Sequence, residues 1–255
     1  MPDITEIYNQ CHLSHYRESL SGYEIARWNA LDHFITRILK LNGAKRVLDY
    51  GAGSGLHVQL WEKLFPHAEL YFCDISAVAG KKFKMKYPNY ADRYYLVHQN
   101  RANLDDRLFD VVVSVEVMEH VEQLVSYLRD IYRLLKPNGT FVWTTPCANE
   151  LSIEHLYARA TGKIESTEEG FRRWKWEDPT HVRRLKSHEI KKILEDSGFS
   201  NIRFRFRAHF FSFICTYLPT HRMMPLREKL MTLDYSLFRS FPNGASMLGS
   251  AKRAK

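Results

Sequence analysis

Residues 47–55 read VLDYGAGSG: two apolar residues, an acid and an aromatic, then glycine at positions 51, 53 and 55. A buried strand that runs straight into alternating glycines lets backbone amides close on a ligand at the carboxyl edge of a parallel sheet, where open α/β folds bind. Such a loop needs a sheet around it, and the rest of the chain supplies one. The stretches RVLDYG (46–51), LYFCDIS (70–76), YYLVH (94–98), FDVVVSVEV (109–117) and GTFVWTTP (139–146) have strand character, while HVQLWEKLF (57–65) and EQLVSYLRDIYRLLK (122–136) read as helices. Short apolar strands alternating with helices predict βαβ units and a parallel sheet covered on both faces.

Around this alternation the 255 residues divide into an N-terminal helical cap, 1–40, and one α/β domain, 41–255. In the cap, Ile25, Trp28, Leu31, Ile35 and Ile38 recur at helical steps. The helix ending at Lys136 is closed by KPNG, which predicts a turn before the next strand. A further helix is expected within 187–199, with Ser187 as N-cap, Glu189 in its first turn and Gly198 at its end. After it NIRFRFRAHF (201–210) alternates apolar and basic residues, the pattern of an antiparallel strand with one wet face. Two stretches fall outside the alternation: 147–180, a lid, and 211–244, a helical insertion on the acceptor or partner side, where it could serve a homodimer.

Hydrophobic content of 45% and charged content of 26% exclude a disordered or fibrous chain. The four cysteines lack CxxC spacing, which argues against a zinc ribbon or a disulfide framework and for a reducing compartment. MPDITEIYNQ has no secretory pattern, and no apolar run approaches the roughly 18 residues of a membrane span, so a cytoplasmic protein is expected, at most peripheral at a membrane. A net charge of +8 suits an anionic partner such as RNA, a phosphorylated sugar or an acidic membrane, unless the charge is merely scattered. Its clusters are Arg172, Arg173 and Lys175; Arg183, Arg184 and Lys186; and Lys252, Arg253 and Lys255.

A dinucleotide fingerprint needs glycine at 56, which is Leu56; the spacing here is GxGxG. With Asp74 closing the second strand, FDVVVSVEVMEHV and LKPNGTFV, the loop resembles the class I S-adenosylmethionine-dependent methyltransferases from about residue 45 to 205. The resemblance implies a Rossmann-like, mostly parallel sheet of seven strands with an antiparallel C-terminal strand, helices on both faces and helical lid insertions. It implies that Gly51, Gly53 and Gly55 make room for the methionine and ribose of S-adenosylmethionine. Asp74 then binds the ribose hydroxyls, with Ile75 and Glu116 also on the cofactor side. Asn100 stands where the family often has an aspartate facing the adenine amine, and its carbonyl can accept the same bond. Asp49 either caps loop amides or touches the cofactor, and Tyr16, Arg17 and Tyr23 are candidates for an N-terminal lid.

Methyl transfer to an oxygen needs in-line attack and loss of the hydroxyl proton, hence a base or a metal. EVMEH places Glu116, Glu119 and His120 at i, i+3 and i+4, and His181 in DPTHVRR could complete the set. This E-x-x-E-H pattern with a distant histidine resembles the small-RNA 2′-O-methyltransferases and the ubiquinone-pathway O-methyltransferases. There it implies that Glu116, Glu119, His120 and His181 hold Mg²⁺, Mn²⁺ or Zn²⁺, with Glu119, His120 and His181 catalytic. His120 acting as a metal-free base, or a purely structural role, stays open. Trp174, Trp176 and Phe171 either stack on an acceptor or form the lid's own core. The expected activity is O-methylation of a saccharide, glycolipid precursor or other small metabolite, with an anionic or lipid-linked acceptor. RNA 2′-O-methylation and a non-catalytic cofactor-binding scaffold are the alternatives.

Overall fold

The computed structural model describes residues 4–14, 20–166, 172–178, 180–215, 218 and 223–254. Tyr16, Arg17 and Phe171 lie outside the described residues. The chain opens with helices α1 (Ile4–Ser14) and α2 (Gly22–Asp32), the second continued by a π-helical turn, His33–Leu39. There follow β1 (Arg46–Tyr50), α3 (Val58–Leu64), β2 (Glu69–Asp74), α4 (Ala77–Lys86), β3 (Tyr94–His98), the two-residue β4 (Arg101–Ala102), β5 (Phe109–Val115), α5 (Leu124–Leu134) and β6 (Leu135–Pro146). The lid expected at 147–180 contains α6 (Ile153–Ala160) and a hairpin, β7 (Ile164–Ser166) with β8 (Arg172–Trp174). The rest is α7 (Ser187–Asp196), β9 (Phe199–Arg207), α8 (Phe210–Cys215), α9 (Met224–Phe238) and β10 (Ser246–Arg253).

The main sheet has the order β4-β3-β2-β1-β5-β6-β10-β9. Its eight strands are one more than the number the resemblance implies, and the two-residue β4 pairs antiparallel with β3. Strand β1 is parallel to both β2 and β5, so the winding direction reverses there and a crevice opens beyond their carboxyl ends. The period-two alternation of β1 sends Leu48 and Tyr50 to one face and Val47 to the other. On the first face they meet Tyr127, Leu128, Ile131 and Leu134 of α5 and Ile190 and Leu194 of α7. On the second lie Leu31 of α2, Phe34, Ile35 and the α3 residues Leu60, Trp61 and Leu64. Every one of these side chains is buried, which fixes the floor of the crevice.

Several details depart from the sequence reading. Lys136–Gly139 is not a connecting turn: α5 stops at Leu134 and β6 starts at the fully buried Leu135. KPNG is instead a bulge, with Asn138 at φ +63° and the register slipping between Phe109↔Leu135 and Val111↔Thr140. Lys186, not Ser187, is the N-cap of α7, its amide donating to Glu189 Oε2 at 2.7 Å. The antiparallel pairing expected of the 201–210 stretch is present in β9, but its partner is an unanticipated strand, β10, inserted between β6 and β9 and antiparallel to both. Within the 211–244 insertion α9 packs against α2 and α8, with Met231, Asp234 and Tyr235 buried.

The basic clusters are largely consumed inside the fold. Arg172 pairs with Glu189, Arg173 with Glu165, Arg184 with Glu154 and Glu177, and Lys186 with Glu150. Arg183 donates to the carbonyls of Val121 and Glu122, and Arg253 to those of Tyr132 and Arg133. Among the described residues no helix is long and apolar enough to cross a membrane.

Candidate cofactor and acceptor site

The loop after β1 takes the shape only glycine allows at two points. Gly51 has φ +87°, and a Cβ there would sit 2.3 Å from Val117 Cγ2; at Gly55, φ +88°, it would sit 2.6 Å from Tyr87. The amides of Gly51 and Ala52 donate to the Cys73 carbonyl at 2.8 and 3.0 Å, tying the loop to the end of β2. There the Asp74 carboxylate accepts from Gly53 N at 2.8 Å and Ser76 N at 2.9 Å. Burial raises the Asp74 pKa, against the pull of those amides and of His12.

A cavity of about 390 Å³ opens above the loop. It is lined by Gly51, Gly53, Asp74, Ile75, Asn100, Glu116 and His120, bringing most of the residues singled out in the sequence to one space. Gly55 packs behind the loop on Phe83 and Tyr87. Asp49 is turned away from the cavity: its Oδ2 accepts from Trp61 Nε1 at 2.7 Å, and burial pushes its carboxyl up to about 7. It therefore neither caps loop amides nor lines the cavity.

At the other end, the turn after β5 displays the E-x-x-E-H residues. Both Glu116 oxygens are engaged, by Thr144 Oγ1 at 2.8 Å and by the Arg27 guanidinium at 2.9 Å. Burial opposes ionisation of Glu116, but Arg27 and Arg207 outweigh it and hold its pKa below the usual value. Glu119 is buried, with Oε2 accepting from Thr145 Oγ1 at 3.1 Å and Oε1 lacking a donor. Burial, then the nearby Glu116, raise its pKa well above the ordinary range. Its backbone oxygen accepts from Val182 N at 2.9 Å, which draws the 180–182 segment onto the turn.

The His120 and His181 rings are 4.7 Å apart. The single proton of the Thr180 hydroxyl is directed to Asp178 Oδ1 at 2.7 Å, so at 3.0 Å from His120 Nδ1 that hydroxyl accepts. Nδ1 then carries the ring proton and Nε2 keeps its lone pair. Burial, with His181 adding to it, depresses the His120 pKa to about 4, so the ring is neutral at pH 7. Glu119, His120 and His181 offer donor atoms within 4.8 Å of one another. Mixed oxygen and nitrogen donors, including a buried carboxyl oxygen without a partner, fit a divalent cation. Glu116 is not part of this group, because Arg27 and Thr144 hold it elsewhere.

Sequence reading passed over the roof and one cation. Ile4, Tyr8 and His12 of α1, at helical i, i+4 and i+8 spacing, line the cavity, and Asn9 accepts from Ser76 Oγ at 2.8 Å to hold α1 on α4. That spacing was the available signal. Arg27 also lines the cavity, whereas Tyr23, expected in the lid, sits beneath Arg27 and Arg207 at 5.1 and 4.4 Å.

Residues 22–203 match the methyltransferase domain family. A ubiquinone/menaquinone biosynthesis C-methyltransferase of Desulfotalea psychrophila is 28% identical over 43% of this chain and 45% of its own length. A ubiquinone biosynthesis O-methyltransferase of Neisseria meningitidis is 28% identical over 51% of this chain and 56% of its own. The chain thus spans about half the length of the curated relatives it matches. Among solved structures, a SAM-dependent methyltransferase of Thermotoga maritima superposes with a TM-score of 0.62 at 14% identity, covering 98% of this chain and all of that one, a likeness of fold.

Proposed function

Since the chain belongs to the methyltransferase domain family, we propose that it transfers a methyl group from S-adenosylmethionine to a hydroxyl of a small acceptor. The observation that carries this reading is that one cavity joins the glycine loop and Asp74 to His120. S-adenosylmethionine, when bound, supplies an electrophilic methyl on a sulfonium. Gly51 and Gly53 leave the backbone bare for it, Asp74 accepts from its ribose hydroxyls, and Arg27 offers a cation for its carboxylate. His120, neutral and with its free lone pair at Nε2, receives the hydroxyl proton or ligates. Glu119 and His181 would join His120 in holding a divalent cation, which would polarise the acceptor hydroxyl.

A saccharide, glycolipid precursor or related metabolite fits this reading better than RNA, since the basic clusters that would meet phosphates are tied within the fold. Calorimetry with S-adenosylhomocysteine tests the cofactor half: Asp74→Ala weakens binding by an order of magnitude or more, from lost charge-assisted hydrogen bonds of roughly 1.5–3 kcal/mol. His120→Ala retains that binding and loses turnover with hydroxylated acceptors. Chelation abolishes turnover and Mg²⁺, Mn²⁺ or Zn²⁺ restores it; activity indifferent to chelator assigns His120 as a metal-free base. Full activity in His120→Ala would overturn the acceptor site.

A further inference from the structure

Away from the cavity, exposed apolar side chains gather on one face. Leu156 and Tyr157 of α6, Trp176 after β8, and Phe210 and Ile214 of α8 are exposed, Leu156 by 50% and Phe210 by 51%. Ring contacts tie parts of this face together: Tyr157 lies 5.8 Å from Trp176 and 6.1 Å from Phe213 of α8, and Phe210 of the same helix 5.6 Å from Phe211. Scattered exposure is ordinary, but apolar groups gathered side by side mark an interaction surface.

The charges around this face differ in their partners. The described acids of the lid are held by cations or an amide: Glu154 pairs with Arg184, Glu165 with Arg173 and Glu150 with Lys186, while Asp178 accepts from Thr180 N at 2.9 Å. Three bases stand at the surface. Arg159, Lys163 and Lys175 are exposed, and the Lys163 ammonium stands 5.8 Å over both the Tyr157 and Trp176 rings. Helix α8 carries no charged residue.

From this arrangement we infer that the face formed by α6, Trp176 and α8 docks on an anionic lipid bilayer. Tyrosine and tryptophan settle at the headgroup level, and lysine and arginine reach past them to lipid phosphates. A protein partner fits less well, because lysine is depleted where two proteins meet. The inference goes beyond methyl transfer and does not depend on it. The same lid carries Thr180 against His120, so docking would bring the acceptor end of the cavity toward the membrane.

The test is co-sedimentation of the full chain with phosphatidylcholine vesicles, with or without phosphatidylglycerol, at low and physiological salt. Binding is expected only with the anionic lipid, weakening with salt, and falling about tenfold or more in Tyr157→Ser/Trp176→Ser and in Lys163→Glu. Unchanged S-adenosylhomocysteine binding by these variants shows that they fold; its absence from wild type too would fault the proposed function and leave the vesicle result standing. The inference is overturned if wild type stays in the supernatant with both lipids, if the variants bind like wild type, or if the substitutions instead split a dimer into monomers in sedimentation equilibrium, assigning the face to a second copy.

Discussion

His57 shows how a single side chain can be unreadable in sequence yet decisive in structure. It has no ligand spacing, but its Nδ1 accepts from Trp28 Nε1 at 2.8 Å, and burial, then Arg27, depress its pKa to about 3. Below about pH 6.5 the unfolded chain takes up a proton that the folded chain refuses, so His57 contributes stability at neutral pH that is lost toward pH 3. Asp49, raised to about 7, acts in the opposite sense: its contribution is complete below about pH 4 and lost as pH rises through 7. A comparison of variants separates the two. His57→Gln keeps an acceptor for Trp28, and the melting-temperature deficit of this variant is expected to be larger at pH 7 than at about pH 5. An equal deficit at both pH values would mean that His57 takes up its proton as readily in the fold as in the unfolded chain. Gly51 and Asp74 were legible because backbone shape and a strand-end carboxylate leave local marks. Asp49 was ambiguous because its partner, Trp61, sits on another element.

Among the elements, β3 was read to the residue and β1, β2 and β5 to within two or three, since buried parallel strands announce themselves as apolar runs. Strand β10 was read only as a basic tail. Its sequence, SMLGSAKR, has small residues because it crosses large ones: a Cβ on Gly249 would lie 2.1 Å from Trp143 Cζ2. Nothing local reports that crossing. Gly249→Ala is therefore expected to destabilise by about 1–3 kcal/mol through overpacking, measured by denaturant titration, with Trp143→Phe/Gly249→Ala recovering part of the loss. No loss in the single variant would show that the indole has room to move. The N-terminal cap was expected to be helical, but the place of α1 as a roof was hidden for a related reason, since it depends on Asn9 meeting α4 from far along the chain.

For the molecule as a whole, the architecture and the ligand crevice followed from the alternation of elements, while the net charge located no surface: +8 counts residues without saying which ones their own fold employs. The closed arrangement of loop, roof and acceptor turn around one cavity predicts strong thermodynamic linkage to ligand. S-adenosylhomocysteine at about a hundred times its dissociation constant should add about 2.7 kcal/mol and raise the melting temperature by several degrees; no shift at saturation would contradict cofactor binding. The place of β10 has a further consequence, for biosynthesis. β9 emerges from the ribosome before residues 246–253, the strand that joins it to the sheet, so Phe204 and Phe206 wait without their β10 partners on the nascent chain. Until that strand arrives, the newborn protein presents a sticky ribbon that a chaperone would be suited to shield.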